Sequence, residues 1–109
     1  MHASDETLME MYKAASHAVE FAGGTNKTAF MLDVKTHSAV LYQLLIMQQA
    51  AGNLGDEFRG EHPNFPWEAI DAMGAGTTIE LNDAWDILWR DIPAIVTAVE
   101  TVIPHGGDS

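Results

Sequence analysis

The chain has no cysteine and few basic residues, and each shortage argues against a class of function. Without cysteine it can form no disulfide framework and offer no thiolate nucleophile, which fits a reducing cytoplasm. Its 5 Lys and Arg residues stand against 16 Asp and Glu, a formal net charge of −11. Because phosphates are bound by clustered cations, this charge counts against autonomous binding of RNA or DNA. The surplus reflects either ordinary solubility, including adaptation to a salty cytoplasm, or an acidic face that meets a basic partner.

Long apolar runs are also absent. No run reaches the roughly 18 residues that a membrane-spanning helix needs. The acidic N-terminus, Met1 to Glu6, lacks the basic start and apolar stretch of a signal peptide. We therefore expect a cytoplasmic protein without membrane association. The hydrophobic fraction of 47% indicates a folded chain, and 109 residues are enough for a single domain spanning 1–109.

Helical periodicity dominates the chain, and no alternating strand pattern of useful length is present. A first helix is predicted to start at a cap formed by Ser4 or Asp5 and to end at Gly23-Gly24, because glycine accepts the left-handed conformation at a helix C-terminus. A loop is expected at 26–28, followed by a short apolar turn at 30–32. The apolar stripe of the first helix recurs at three- and four-residue steps: Leu8, Met11, Tyr12, Ala15, Val19 and Ala22.

A second long helix is predicted from Asp33 or Thr36 to Phe58. A second apolar face carries Leu41, Leu45 and Ile46, so the middle of this helix is apolar nearly all round. Such a helix is either central in its own bundle or shared with another subunit, and we expect both. Its seam alternates strictly by three and four residues: His37, Val40, Leu44, Met47, Ala51, Leu54 and Phe58.

The last part of the chain predicts a turn, a short helix and a final long helix. The turn covers 60–66, and Pro66 suits the first position of a short helix at 67–73 that Gly74 and Gly76 end. The final helix is expected to start at Asn82-Asp83, and Pro93 should kink it near Trp89. We expect the tail after 104 to fray. The predicted fold is all-α, an up-and-down bundle of four to five helices. The stripe of the final helix is Trp85, Leu88, Ile92, Ile95, Val99, Val102 and Ile103.

Histidines and carboxylates do not form a recognisable catalytic arrangement. The sequence predicts no catalytic, cofactor-binding or metal-binding residue, because none of the five histidines pairs with other ligands at metal spacing. His37 is interpreted as a packed, hydrogen-bonded residue of the seam, and His62 as a solvated loop residue. The carboxylate pairs Asp83/Asp86 and Glu57/Glu61 are typical of a solvated helix face.

The three tryptophans could stack on nucleic-acid bases, but two of them lie on predicted core stripes. Packing is therefore the stronger interpretation for Trp67 and Trp85. Trp89 is the tryptophan expected to face a partner.

An ordered set of residues within roughly 8–103 matches the pattern of one known family. The matching residues are Phe30, Asp33, Lys35-Thr36, Ala39-Val40, Ala50, Leu54, His62-Pro63, Phe65-Pro66-Trp67, Ile70, Met73, Trp85 and Asp91-Ile92-Pro93. Through this set the chain resembles the HepT-like branch of the HEPN ribonuclease toxins. Each element alone is weak, whereas the ordered set is specific, and its spacing from Asp33 to Met73 has no gap. Where the family typically has Gly-Glu-Ala, this chain has Gln48-Gln49-Ala50.

The resemblance implies a helical, dimeric, metal-independent ribonuclease toxin of a type VII HepT/MntA-like toxin-antitoxin system. In the family, an Arg-polar-x-x-x-His-x-Tyr segment supplies an arginine that holds the phosphate and a histidine that moves protons, in a cleft at the dimer interface. A nucleotidyltransferase antitoxin of the MNT type is the usual partner, and it adenylylates the tyrosine of the segment.

This chain departs from the family where that segment should begin. Gly74 stands where the resemblance expects arginine, and 74–84 contain no Arg, Lys, His or Tyr. The stretch to Trp85 is short by about five residues, more than one helical turn. Arg59 precedes His62 by only three positions, and no tyrosine occurs after Tyr42, so no substitute segment exists.

Three explanations remain open: an engineered replacement or omission of the segment, a natural relative that has lost catalysis, and catalysis by unrelated residues. We predict a catalytically inactive scaffold that forms a homodimer and binds the antitoxin, with RNA as a substrate only if an active segment were present. The alternative is a non-enzymatic helical module for dimerisation and partner binding.

Overall fold

The predicted helices pack as an all-α bundle. The computed structural model describes the backbone of residues 3–73 and 79–103, and their side chains from Asp5 onward. Within these ranges the chain forms no strand. The elements are α1 (Ala3–Ala22), α2 (Lys27–Leu32), α3 (Val34–Gly52), α4 (Asp56–Glu61), α5 (Trp67–Ala72), α6 (Leu81–Asp86), a π-helical turn (Ile87–Asp91) and α7 (Ile92–Val102).

Helix α1 follows its predicted stripe but starts earlier than predicted. It begins at Ala3, so Ser4 and Asp5 lie inside the helix and the prediction that either caps it is wrong. Asp5 instead occupies the acidic first turn, where its charge favours the positive helix end. The predicted end is confirmed, since α1 stops at Ala22 and Gly24 has a φ of 83°, a conformation that glycine adopts without steric cost.

Helix α2 replaces most of the predicted loop at 26–28. Asn26 is its N-cap, and the Asn26 side-chain oxygen accepts a hydrogen bond from the Ala29 amide at 2.8 Å. Lys27 and Thr28 are therefore helical, because the asparagine satisfies a free amide of the first turn. Phe30 is buried beneath this helix, whereas Leu32 is 77% exposed.

Helix α3 lies at the centre of the bundle, as predicted, and packs along α1 as well as against α2 and α6. Asp33 caps it by accepting hydrogen bonds from the Thr36 amide at 3.1 Å and the Thr36 hydroxyl at 2.7 Å. The prediction that it continues to Phe58 is wrong. It ends at Gly52, and α4 begins at Asp56, because Gly52 and Gly55 both weaken a helix that Asn53 then terminates.

The seam residues beyond this break still lie on the core side of the chain. Leu54 is half-buried in the turn, and Phe58 is buried from α4, so both still face the core. The fully buried centre of the core combines side chains of α1, α2, α3, the π turn and α7. Its largest members are Phe30, Leu8, Met11, Leu44, Met47, Leu88, Ile92, Ile95, Val40 and Val99.

The final helical run starts at Leu81, just before the predicted Asn82-Asp83, and passes through the π turn into α7. In the π turn the Ile92 amide donates to the Ile87 carbonyl, five residues back. The irregularity surrounds Trp89, where the sequence predicts a disturbance caused by Pro93. The cause is physical: proline offers no amide to the carbonyl four residues earlier, and its ring crowds that carbonyl unless the turn widens.

Candidate functional site

The place where the family segment should begin lies at the end of α5. Met73 is the C-cap of α5 and is buried. The next five residues, which include Gly74 and the Gly/Thr loop to Thr78, lie outside the described residues. The chain is described again from Ile79, two residues before α6. The site is therefore defined by the groups on either side of this loop.

The Met73 carbonyl is held by a side chain from the central helix. Gln48 of α3 is 3% exposed, and its Nε2 donates a hydrogen bond to the Met73 carbonyl oxygen at 2.8 Å. A carbonyl at a helix C-terminus lacks a partner within its helix, so this bond satisfies a group that would otherwise be buried without one. The contact ties the end of α5 to the bundle at the residue where the loop starts.

The arginine nearest to this site is engaged in an ion pair. Arg59 of α4 donates from Nη1 and Nη2 to both carboxylate oxygens of Asp71 on α5, at 3.1 and 3.0 Å. These hydrogen bonds hold the pKa of Asp71 below its usual range and raise the pKa of Arg59. The guanidinium carbon also lies 4.4 Å from the ring centroid of Trp67, a cation–π geometry. Arg59 therefore links α4 to α5 through an ion pair with Asp71 and a contact with the ring of Trp67.

His62 is not the solvated loop residue that the sequence predicts. It is the C-cap of α4, is half-buried, and its ring centroid lies 4.3 Å from that of Phe58. Its carbonyl accepts a hydrogen bond from Trp67 Nε1 at 2.8 Å. The turn at 62–66 is compact because Phe65 and Trp67 fold back onto Phe58, which carries His62 inward.

His37 is the packed histidine that the sequence predicts. It is half-buried, its Nδ1 lies 3.1 Å from the Phe30 carbonyl oxygen, and its ring stands at an edge to Phe30. His17 is exposed and stacks on Phe21, whereas His2 and His105 lie outside the described residues. Among the residues described, no group of three or more His, Asp or Glu could hold a metal ion.

The tryptophans divide as predicted. Trp67 is half-buried in the cluster with Phe58 and Phe65, and Trp85 is half-buried with its ring centroid 5.2 Å from that of Phe30. Trp89 is 44% exposed on the π turn. Both predicted core residues are confirmed, and the exposure expected of Trp89 is confirmed as well.

A second arginine is also bound to a carboxylate. Arg90 donates from Nε and Nη2 to the two oxygens of Asp91 at 3.0 and 3.1 Å. This bonding raises the pKa of Arg90, and Asp91 itself is buried. Both arginines of the chain thus form ion pairs with neighbouring carboxylates.

Comparison with known proteins identifies relatives but no matching family model and no matching solved structure. A candidate RNase of Methanocaldococcus jannaschii, MJ0127, is 23% identical over 103 residues, covering 88% of this chain and 84% of that protein. A second candidate RNase of the same organism, MJ1380, is 25% identical over 100 residues, which cover 87% of this chain and 92% of that protein. A probable ribonuclease HepT of Thermococcus cleftensis is 30% identical over 71 residues, which cover 61% of this chain and 64% of that protein.

The chain is thus similar to ribonucleases of the HepT-like group, which confirms the resemblance carried by the ordered residues between Phe30 and Pro93. Several of these residues hold the fold of this chain together, since Asp33 and Thr36 form the cap of α3 while Trp67 and Trp85 pack in the core. No helix within 3–73 or 79–103 is long and apolar enough to span a membrane.

One contact at the site could not be found from the sequence. Glutamine at position 48 falls on the buried side of α3, and a single polar residue there is a signal that a partner must exist. The identity of that partner, a backbone carbonyl 25 residues later, depends on how α5 packs against α3.

Proposed function

We propose that this chain is a HepT-like scaffold that binds protein partners and does not cleave RNA. One observation carries the proposal: 74–84, where the resemblance places the catalytic segment, contain no Arg, Lys, His or Tyr. Without these side chains the stretch lacks the arginine, the histidine and the tyrosine to which the resemblance assigns phosphate binding, proton transfer and adenylylation. The ion-paired arginines, Arg59 and Arg90, and the net charge of −11 support the same conclusion.

We propose that the scaffold forms a homodimer through the outward face of α3. Tyr42 and Leu45 are 62% and 38% exposed there, with half-buried Leu41 and Ile46 beside them. The helix carries no Asp, Glu, Lys or Arg from 36 to 52. Two copies with a charge of −11 each repel one another least across such a face, and large apolar side chains left in water favour association.

A nucleotidyltransferase of the MNT type is the second proposed partner, and cytoplasm is the proposed compartment. Both rest on the resemblance to HepT-like proteins. Because the tyrosine of the family segment has no counterpart after Tyr42, the proposal requires binding without adenylylation of that segment. Transfer of radiolabelled adenylate from ATP to the chain by a cognate nucleotidyltransferase would contradict this part of the proposal.

Gln48 differs from the residue that the resemblance expects at its position. The resemblance places glycine at this position, and glycine has no side chain that could reach the Met73 carbonyl. In this chain the glutamine secures the end of α5 directly before the shortened loop. This bond is compatible with engineered replacement of the segment as well as with its natural loss. A gene that encodes Arg-x-x-x-x-His after Met73 would contradict natural loss.

Restoration of the segment tests the proposed function. Residues 74–76 are replaced by an eight-residue segment of the form Arg-polar-x-x-x-His-x-Tyr, which makes up the shortfall of about five residues. Cleavage of tRNA is followed on denaturing gels in the presence of EDTA. We expect cleavage by the restored chain and none by a restored chain that carries alanine at the introduced histidine. If neither chain cleaves the tRNA, the scaffold does not support HepT-like catalysis. That result would favour the alternative of a non-enzymatic helical module.

A further inference from the structure

A groove runs between α1 and the last helical run. Its volume is about 490 Å³, within the range of established binding sites. Ala15 and Val19 line it from α1, while Trp89, Ile92 and Val96 line it from the π turn and α7. Most of its lining is therefore apolar.

Trp89 is held in place at this groove. The π turn sets the position of its backbone, and its ring stands at an edge to Trp85 with the centroids 5.6 Å apart. Even so, 44% of the side chain is exposed to solvent. A large aromatic side chain that is fixed on one side and exposed on the other is the kind of residue that dominates protein interfaces.

The charges of the groove indicate the charge of the partner that it binds. Glu20 is the one charged residue in its lining. Helix α1 carries four acidic residues and one lysine, Lys13, and residues 81–102 carry four acidic residues and one arginine. That arginine, Arg90, is bound to Asp91. The groove is therefore apolar with one carboxylate in its lining, and both helical segments that form it carry an excess of acidic residues. This charge favours a cationic occupant and disfavours a second copy of this chain.

The length of the groove fits a helix. Its lining on the last helical run extends from Leu88 to Thr97, about 13 Å at the rise of an α-helix. An incoming helix that anchors side chains at i, i+4 and i+7 needs about 10 Å for these anchors. We propose that the groove binds a basic amphipathic helix of a partner protein, with its apolar stripe on Val19, Trp89 and Val96 and a Lys or Arg side chain paired with Glu20. This binding does not depend on the loss of RNA cleavage.

A designed peptide tests the groove directly. The probe is a fluorescein-labelled 18-residue amphipathic helix of Leu and Lys, and its scrambled isomer has the same composition and charge but no apolar stripe. Fluorescence anisotropy at about 0.15 M salt limits long-range charge attraction. We expect the amphipathic peptide to bind at least about 10-fold more tightly than the scrambled one. Equal binding of the two peptides would overturn the proposal, because charge alone would then explain it.

Two arginine variants on the same helix locate the binding site. Thr97→Arg introduces a bulky cation into the groove, and Thr101→Arg introduces the same charge one turn further along α7, outside its lining. Both threonines are exposed, so neither change disturbs the core. We expect Thr97→Arg to reduce the binding affinity of the amphipathic peptide about 10-fold more than Thr101→Arg does. Equal weakening by both variants would overturn the proposal.

A tryptophan variant separates the groove from the proposed dimer face. Trp89→Ala should weaken the peptide and leave the oligomeric state unchanged, whereas Tyr42→Ala on α3 should leave the peptide affinity unchanged. Circular dichroism confirms that both variants fold. A wild-type dimer that dissociates on Trp89→Ala would show that a second copy occupies the groove, which overturns the proposal even if RNA cleavage is absent.

Discussion

Gln48 on α3 donates a hydrogen bond of 2.8 Å to the carbonyl oxygen of Met73, and both residues are buried. This bond joins the central helix to the C-cap of α5, directly before the position where the resemblance expects the catalytic segment to begin. It satisfies a buried carbonyl at the end of α5.

Loss of this bond should destabilise the fold. We expect Gln48→Ala to lower the free energy of unfolding by about 1–3 kcal/mol, because a buried carbonyl loses its donor. Gln49 is the matched control, since it is the next residue of the same helix and is exposed. Gln49→Ala should change stability by less than about 0.5 kcal/mol. Urea unfolding followed by circular dichroism gives both values, and equal effects would contradict the role assigned to Gln48.

The cap of α3 should make stability depend on pH. Hydrogen bonds from the Thr36 hydroxyl and amide lower the pKa of Asp33 in the folded chain. A depressed folded-state pKa contributes stability above the unfolded-state pKa, and this contribution is lost as the pH falls through the folded-state value. Asp33→Ala should therefore lower the thermal midpoint at pH 7 and have a smaller effect at about pH 2–3.

Asp33→Asn is the control for this prediction. Asparagine also caps helices well, but it does not titrate. The variant should keep most of the wild-type thermal midpoint at pH 7 and show a weaker loss of stability on acidification than the wild-type chain. A difference between wild type and Asp33→Ala that stays constant from pH 7 to pH 2 would contradict the cap assignment.

A charge on the outward face of α3 should abolish dimerisation. Leu45→Asp places a carboxylate within the uncharged stretch, where two copies would bring like charges together without water. Phe21→Asp is the matched control, because Phe21 is a similarly exposed apolar side chain on α1. Light scattering after size exclusion at about 50 μM should give a dimer for wild type and Phe21→Asp and a monomer for Leu45→Asp. A monomeric wild type at this concentration would contradict the dimer.

The sequence predicts those parts of the fold that depend on local pattern. The stripes of α1 and of the last helical run are buried as predicted, because three- and four-residue steps place apolar side chains on one face. The end of α1 at Gly23-Gly24 follows from the freedom of glycine. The break after Gly52 is not predicted, because the three- and four-residue spacing of the seam continues to Phe58 across Gly52 and Gly55.

Contacts between distant residues account for what the sequence does not predict. His62 is drawn inward because Phe58, Phe65 and Trp67 pack around it, which a position before proline does not reveal. The pairing of Gln48 with Met73 and of Arg59 with Asp71 requires knowledge of how α5 lies against α3 and α4. The absence of a catalytic segment, in contrast, is a property of the sequence and needs no structure.

We expect that this chain does not cleave RNA. The direct test incubates the purified, unaltered chain with total tRNA and a structured messenger RNA in EDTA, beside the chain with the restored segment as positive control. We predict intact RNA from the unaltered chain after the restored chain has digested its substrate. Specific cleavage by the unaltered chain, lost when Arg59 or His62 is changed to alanine, would contradict the account.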